Sequence, residues 1–462
     1  MAPPASNSSS ARPWDLWLSE NIEALAIAVG MALILKFFVV EAYQIPTGSM
    51  QPTILGDARA GIHDRILADK TVTLLRDPHR WEVMIFRFPL DERRLYVKRI
   101  VGLPGETLEI LGGDVWIDGE IARKPDHVNE SVLRSIHGSE AMDVGRYFST
   151  EGEGVQVVRQ SARFGAEGGG LHLRENVTDN FLHGYDSSWG IAPSQAHLGN
   201  RLVPDLDVRA RVAAQQGARE VSVTFSTGRE DVRFVLPVGD ADDNRAYAEV
   251  LPRDGTDSQR FEAQVVGGLP VGRAVDVLVR SVDRRLLLEV DGEEWLRADD
   301  DLSGPRSEQP SRALVSLASD GPAEIDALHL RRDTFYLPHS SRPMPGGARW
   351  EIPEAHYFGL GDNTQSSHDS RSWETLTYDL KSGETITGFS FNNPRAPDRN
   401  PMIQGDTLLF ADIHGDALRF QRSNILRERH AEAPFIPADN LLGKATAVFW
   451  PVFNPFRWKL IR

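Results

Sequence analysis

A short loop near the N-terminus carries the first residues that could do chemistry. Residues 45–53 read Ile-Pro-Thr-Gly-Ser-Met-Gln-Pro-Thr. The hydroxyl of Ser49 has a pKa far above neutral, so it becomes a nucleophile only beside a base. Gly48 allows close approach of the backbone to another group, and Pro46 and Pro52 deny the loop a helix. Taken alone, a loop of this composition is more often a plain linker.

A base for Ser49 has two sources in the sequence. The chain has 13 histidines, but no Gly-x-Ser-x-Gly sequence places a serine in a nucleophile elbow. Lys98 lies in the otherwise apolar run Leu95-Tyr-Val-Lys-Arg-Ile-Val, and a lysine that faces inward there loses solvation, which lowers its pKa. A neutral amine within hydrogen-bond reach of Ser49 is a competent general base. The alternative, which strand spacing alone favours, is that Lys98 points to solvent and Arg99 pairs with a surface carboxylate.

A polar loop much later in the chain supplies further functional side chains. Residues 361–371 read Gly-Asp-Asn-Thr-Gln-Ser-Ser-His-Asp-Ser-Arg, a composition typical of an irregular loop. Asp362 and Asp369 are placed to pair with Arg99 or Arg371. A solvated loop without a function is the alternative interpretation.

An apolar segment directly precedes the Ser49 loop and would position it. Ile22 to Val40 reads IEALAIAVGMALILKFFVV, close to the roughly 20 apolar residues that span a bilayer. We predict a disordered tail over residues 1–20 and a retained transmembrane helix over residues 21–41. A cleaved signal peptide is the main alternative, but Arg12 is the only basic residue among the first 20 and no small-residue cleavage site follows. A buried soluble helix is a further alternative.

Strand patterns divide the rest of the chain into three parts. Residues 42–126 contain short β runs with glycine turns, such as Val83-Met-Ile-Phe-Arg-Phe. Residues 127–345 alternate apolar and polar positions and turn at Asp-Gly, as in Leu286-Leu-Leu-Glu-Val-Asp-Gly. We therefore predict a mostly β chain in which an antiparallel, jelly-roll-like β-sandwich interrupts a catalytic β domain that resumes over residues 346–462.

Composition excludes several classes of function. The formal net charge of −15 argues against general nucleic-acid binding, which requires a basic face. The absence of cysteine excludes disulfides, thiolate zinc sites and a cysteine nucleophile. A hydrophobic fraction of 41% is ample for a buried core.

Together, the three motifs in this order behind an apolar segment resemble the bacterial type I signal peptidases, the leader peptidases with a serine–lysine dyad. The motifs are Pro-Thr-Gly-Ser-Met-x-Pro-Thr, Tyr-Val-Lys-Arg-Ile-Val-Gly-Leu-Pro-Gly-Glu and Gly-Asp-Asn-x-x-x-Ser-x-Asp-Ser-Arg. The resemblance covers roughly residues 20–125 and 346–462 and leaves the β-sandwich insert out.

The resemblance implies a role for each matching residue. Ser49 matches the nucleophile and Lys98 the general base. The Thr47 hydroxyl and the Ser49 N–H match the oxyanion hole, and Ser367 matches the residue that orients the lysine amine. Asp369 and Arg371 match positions that hold the site together, and Asp362 and Arg99 match a supporting ion pair. The positions that line the family's pockets for small side chains match Tyr43, Ile45 and Val97. Thr364-Gln365 departs from the family, which usually has Arg-Asp there.

The resemblance also implies an activity. The chain would be a membrane-bound serine endopeptidase that removes signal peptides from exported pre-proteins through an acyl-enzyme, without a metal or organic cofactor. Its partners would be signal peptides and membrane lipid, with no nucleic acid. Its location would be the bacterial inner membrane, as a single-pass protein with an extracytoplasmic catalytic domain. The alternative is a membrane-tethered binding protein in which the insert is the functional module.

Overall fold

The structure is a computed structural model, and the predicted mostly β composition is confirmed. The residues that it describes are 14–57, 61–137, 141–179, 181–182, 196–197, 199–239, 245–300, 310–338, 348–391, 399–450 and 458–461.

A helix leads into the strands. It spans Trp14–Ile34 and continues as a π-helical turn over Leu35–Val39. The helix begins inside the range predicted as a tail, and the chain is already a strand at Val40, inside the range predicted as an anchor. Large apolar side chains along it are exposed, for example Leu25 at 64% and Phe38 at 63%. Among the described residues, no helix is both long and apolar enough to cross a bilayer.

An antiparallel eight-stranded sheet contains Lys98, and the 3₁₀ turn Gly48–Met50, which carries Ser49, follows its strand Val40–Gln44. Its strand Asp91–Gly102 pairs with Val83–Phe88 on one side and His356–Leu360 on the other. The β-branched and aromatic residues of these strands fit buried positions of a pleated sheet. The strands, in spatial order, are Val40–Gln44, Arg65–Asp69, Leu441–Trp450, Val83–Phe88, Asp91–Gly102, His356–Leu360 and Ile436–Pro437, with Lys459–Leu460 beside Leu441–Trp450.

Smaller antiparallel sheets complete the catalytic domain. One of them pairs Thr107–Leu111 with Ala348–Glu351, so the chain before the insert and the chain after it meet in a single sheet. That four-stranded sheet is Ala348–Glu351, Thr107–Leu111, Asp114–Ile117 and Glu120–Ile121. One three-stranded sheet is Thr385–Ser390, Glu374–Leu380 and Ile425–Glu432, and another is Met402–Gln404, Thr407–Ala411 and Ala417–Gln421. A hairpin pairs Gly56–Asp57 with Ile62–His63. The short helices are Thr71–Leu75 and Asp126–Val132, and the 3₁₀ turns are Gly48–Met50, Arg422–Asn424 and Ala438–Asn440.

The insert consists of two antiparallel sheets around one apolar core. The alternating residues of the sequence lie in that core, including Val223, Phe225 and Leu288. The first sheet, in spatial order, is Gln156–Val158, Ser161–Phe164, Ala323–Arg332, Leu206–Ala214, Val275–Val282, Arg285–Val290 and Glu293–Asp299, with Arg134–Ser135 beside Ala323–Arg332. The second is Phe148–Glu151, Gly169–Leu173, Leu314–Ser319, Glu220–Ser226, Glu230–Pro237, Tyr247–Pro252 and Gln259–Glu262. The helix Val144–Tyr147 and the pair Phe181–Leu182 and Ala196–His197 accompany them.

Candidate active site

Ser49 and Lys98 are in direct contact. Ser49 lies in the 3₁₀ turn Gly48–Met50, where the preceding chain leaves its strand. Lys98 lies on the strand Asp91–Gly102 of the eight-stranded sheet. The Nζ of Lys98 donates hydrogen bonds to Ser49 Oγ at 2.9 Å and to the Val97 carbonyl oxygen at 3.1 Å. The two residue types needed for base-activated nucleophilic attack therefore share one hydrogen bond.

The amine of Lys98 is shielded from water. The residue is 3% exposed, so the alternative in which it points to solvent is wrong. Burial lowers the pKa of Lys98 from 10.5 to about 8 because the charged form loses its hydration. The negative charge of Asp369 opposes this shift in pKa, and the positive charge of Arg371 adds to it. A lysine in this environment holds a larger neutral fraction near neutral pH than an exposed one.

The polar loop 361–371 holds the Ser49 turn in place. The backbone N–H of Asn363 donates to the Ser49 carbonyl oxygen at 3.0 Å, and its side-chain Nδ2 donates to the Gly48 carbonyl oxygen at 2.9 Å. A Cβ atom at Gly361 would overlap the Ser49 carbonyl oxygen, so only glycine allows the loop this close. The loop is therefore a structural part of the site and not a solvated turn.

Ser367 does not make the contact that the resemblance implies. Its Oγ is buried but has no hydrogen-bond partner among the residues that the structure describes. It packs beside Gly361, and the hydrogen bonds of the Lys98 amine go to Ser49 and Val97 instead. The expected orienting bond from Ser367 to the amine is thus absent in this arrangement.

Arg99 and Asp362 form a fully buried ion pair beneath the site. Arg99 Nε and Nη2 each donate to one carboxylate oxygen of Asp362 at 2.8 Å, and both side chains are 0% exposed. Arg99 Nη1 also donates to the Trp81 carbonyl oxygen at 2.6 Å, and the Thr53 hydroxyl donates to Asp362. This bidentate hydrogen bonding fixes the loop 361–371 relative to the strand Asp91–Gly102.

Asp369 and Arg371 form a second buried pair within the loop. Arg371 donates through Nε and Nη2 to the carboxylate of Asp369, at 2.8 and 2.6 Å. The Gly361 N–H donates to the same carboxylate at 3.0 Å. Although burial alone would raise it, the Arg371 guanidinium holds the pKa of Asp369 below its usual value. The Asp369 carboxylate therefore stays charged.

The remaining predicted residues surround the Ser49 turn. Ile45 and Val97 are buried in one apolar cluster, and Tyr43 packs against it. The Tyr43 hydroxyl donates to Glu41 at 2.8 Å. Thr47 is exposed, and its side chain does not cap the 3₁₀ turn. Ile45 and Val97 thus share a cluster with Met50, the residue that follows Ser49 in its turn.

Two aromatic neighbours of Lys98 were not predicted from the sequence. The Tyr96 hydroxyl lies 3.0 Å from His368 Nδ1, and Lys98 Nζ lies 5.3 Å from the centroid of the Tyr96 ring. Burial, reinforced by the charge of Lys98, lowers the pKa of His368 to about 3, so this histidine stays neutral. Tyr96 and Lys98 are two residues apart on one strand and share a face, which is the signal that could have found Tyr96.

Three buried carboxylates in the described part of the chain lie close enough to consider a metal ion. Oxygen atoms of Asp114, Asp205 and Asp283 come within 4.8 Å of one another. The ammonium of Lys124 lies 2.5 Å from Asp283 and 2.9 Å from Asp333. A lysine therefore already supplies positive charge there, and the cluster lies outside the Ser49 site.

Residues 18–201 match the family described as signal peptidase, peptidase S26, and the match includes the Ser49 and Lys98 motifs. Signal peptidase I of Leptolyngbya laminosa is 32% identical over 126 residues, which cover 26% of this chain and 59% of that protein. The probable signal peptidase I-2 of Synechocystis is 35% identical over 115 residues, covering 24% and 49%. Signal peptidase I of Pseudomonas fluorescens is 41% identical over 123 residues, covering 25% and 39%.

The matched region has the sequence of a serine peptidase. These residues match the signal peptidase S26 family, and the resemblance to type I signal peptidases is confirmed for this part of the chain. The chain spans 59%, 49% and 39% of the length of these three relatives.

Proposed function

We propose that the chain is a membrane-tethered serine endopeptidase that removes N-terminal signal peptides from exported pre-proteins. The observation that carries the proposal is the 2.9 Å contact between the buried Lys98 amine and Ser49 Oγ. With a pKa of about 8, about a tenth of Lys98 is neutral at pH 7, against less than about one in a thousand at a pKa of 10.5. The neutral fraction is what can accept the Ser49 proton.

The reaction is acyl transfer to Ser49. Its Oγ attacks the scissile carbonyl carbon while Lys98 Nζ accepts the hydroxyl proton. The tetrahedral intermediate collapses as Lys98 returns this proton to the leaving amine, which breaks the peptide bond and leaves an ester on Ser49. Water then attacks the ester carbonyl carbon while Lys98 accepts its proton. The bond to Ser49 Oγ breaks as Lys98 returns this proton to that oxygen, which releases the carboxyl product and restores the serine.

The oxyanion of this intermediate is stabilised by the Ser49 N–H and the Thr47 hydroxyl. Support comes from the exposed position of Thr47 next to the turn and from its side chain not capping that turn. Donors aimed at the developing negative charge usually supply the largest electrostatic part of such catalysis.

The substrate binds as an extended peptide beside the strand Val40–Gln44. Within the described residues this strand is the last of its sheet and pairs with Arg65–Asp69 alone, so its other edge can take a peptide strand. The apolar cluster of Ile45 and Val97, with Tyr43, would contact the small side chains before the cut. An Ala-x-Ala sequence before the cleavage site fits such shallow contacts.

The apolar segment Ile22–Val40 tethers the domain to the membrane. Large side chains along it, such as Leu25 and Met31, are more than half exposed, and apolar side chains in such number are stable only when covered. Ser49 follows this segment closely, so cleavage takes place at the membrane surface. By resemblance, this is the extracytoplasmic face of the bacterial inner membrane.

Ser49→Ala and Lys98→Met test the proposal with the purified full chain in detergent and a pre-protein substrate. We expect each to lower cleavage by about 10³-fold or more, because the nucleophile and its base act as a unit. Lys444→Met is the matched control, since Lys444 is a part-exposed lysine that pairs with Glu82 at 2.9 Å. Cleavage by Ser49→Ala at the parental rate would contradict the peptidase and favour the alternative in which the insert is the functional module.

A further inference from the structure

One arginine of the insert connects the two loops of the candidate active site. Arg134 is 8% exposed and lies on the first strand of the insert. Its Nη2 donates to the Gln51 carbonyl oxygen at 2.6 Å and to the Asp362 carbonyl oxygen at 2.5 Å. Gln51 ends the Ser49 turn, and Asp362 belongs to the loop 361–371. A single guanidinium nitrogen therefore bridges both loops.

The same loop makes further contacts with the insert. The Thr364 hydroxyl donates to the Phe335 carbonyl oxygen at 2.8 Å, and Gln365 Nε2 donates to the Asp179 carbonyl oxygen at 2.7 Å. Thr364-Gln365 is the pair that replaces the usual Arg-Asp. The departure from the family pattern thus lies where the loop meets the insert.

These contacts matter because the groups that Arg134 bridges are buried. Gln51 is 2% exposed and Asp362 is 0% exposed, so water cannot replace a lost donor at either carbonyl. The Ser49 loop is also held to the loop 361–371 by the bonds of Asn363 to Gly48 and Ser49 and by the bond from Thr53 to Asp362. Loss of the bridge removes one of these restraints, so the nucleophile gains freedom to move relative to its base.

We propose that the insert is part of the catalytic apparatus and that Arg134 is a positioning residue, which holds the Ser49 turn against the loop 361–371. This inference rests on the proposed peptidase function. The planar guanidinium presents several donors in a fixed fork, and a lysine at position 134 would present fewer donors from a flexible stem. Arg134→Lys should therefore hold the Ser49 turn against the loop 361–371 in part, and Arg134→Met should not hold it there.

The test compares Arg134→Met, Arg134→Lys and the control Arg280→Met in the purified full chain in detergent. Arg280 is also a buried insert arginine, 2% exposed, but its ion pairs go to Asp126, Glu130 and Asp207, none of which belongs to the Ser49 turn or the loop 361–371. For pre-protein cleavage, we expect Arg134→Met to lower kcat about 10²-fold with little change in KM, since small displacements of reacting groups have effects of this size. Arg134→Lys should recover part of the rate, and Arg280→Met should stay near the parent.

Amide hydrogen exchange measures positioning independently of activity. We expect Arg134→Met to raise exchange in residues 48–56 and 361–371 above the level in Arg280→Met, at matched thermal stability. If Arg134→Met does not fold, Arg134→Lys carries the same comparison. Equal exchange in both loops, together with cleavage equal to that of Arg280→Met, would overturn the inference. If the parent cleaves no pre-protein, the proposed function fails, whereas the exchange comparison still decides the role of Arg134.

Discussion

Replacement of Lys98 by methionine should abolish cleavage and yet stabilise the fold at neutral pH. Burial lowers the pKa of Lys98 from 10.5 to about 8, and at 1.36 kcal/mol per pH unit this difference corresponds to a cost of about 3 kcal/mol for the protonated amine. Methionine fills the space without a charge. The loss of the hydrogen bonds to Ser49 and Val97 lowers the stability by about 1 kcal/mol each, which offsets part of the gain from removing the buried charge. The expected net result is a gain of about 1 kcal/mol at pH 7.

The difference in the free energy of unfolding between the parent and Lys98→Met should depend on pH. Below pH 8 the folded and unfolded parent chains both bind the Lys98 proton, so the cost is constant. Between pH 8 and 10.5 the folded parent releases a proton that the unfolded chain keeps, so the stability of the parent rises with pH. Methionine has no proton to release. The advantage of Lys98→Met should therefore shrink by about 1 kcal/mol between pH 8 and pH 9.

Urea unfolding in detergent at pH 7, 8 and 9 measures this difference for the parent, Lys98→Met and the control Lys444→Met. The side chain of Lys444 is 28% exposed and ion-paired, so its replacement should give a difference that does not change over this pH range. A free-energy difference between the parent and Lys98→Met that is independent of pH would contradict a lowered pKa of the buried Lys98 amine.

Three further outcomes follow from the site. The kcat/KM for pre-protein cleavage should rise with pH about a midpoint near 8, because only neutral Lys98 accepts the Ser49 proton. Gly361→Ala should lower kcat by about 10²-fold in the same assay, because its Cβ would displace the Ser49 carbonyl. Asp362→Asn should lower the free energy of unfolding in urea by about 3–5 kcal/mol, because it leaves the charge of Arg99 buried without its partner.

Matched controls separate these effects from general damage. At Gly145 the nearest atom to an added Cβ would lie at 3.5 Å, so Gly145→Ala should cleave like the parent. Asp276 pairs with Arg211 at the surface, so Asp276→Asn should cost no more than about 1 kcal/mol. A flat pH profile, a fully active Gly361→Ala, or equal stability of the two aspartate variants would each contradict the corresponding step.

Ser49 and Lys98 were predicted from the order of three motifs and their resemblance to the type I signal peptidases, because each motif taken alone favours a linker, a solvent-facing lysine or a solvated loop. The side on which Lys98 lies could not be read in the same way. Strand spacing favoured solvent, but from Val97 to Gly102 every residue of the strand is buried. Both faces of the strand are covered there, and that covering comes from distant parts of the chain.

Contacts between segments that are distant along the chain could not be predicted from the sequence either. Arg134 lies 83 residues from Gln51 and 228 residues from Asp362 along the chain, and no local pattern signals that its guanidinium joins them. For Ser367, position in a motif implied a bond to the lysine amine, whereas the backbone of the loop leaves its Oγ beside Gly361. The order of the motifs predicted that the loop 361–371 lies beside Ser49, whereas the hydrogen bonds that its side chains make depend on the packing of the folded chain.

The pKa of the Lys98 amine in the folded chain decides whether Lys98 can act as the base for Ser49. Lysine labelled with ¹³C at Cε reports the protonation of each ammonium by NMR in detergent, and the signal missing from Lys98→Met identifies the Lys98 resonance. A titration midpoint near 8 is the result that a buried amine beside Ser49 requires. A midpoint above 10 would show an ordinary charged lysine, which could not take the Ser49 proton at neutral pH.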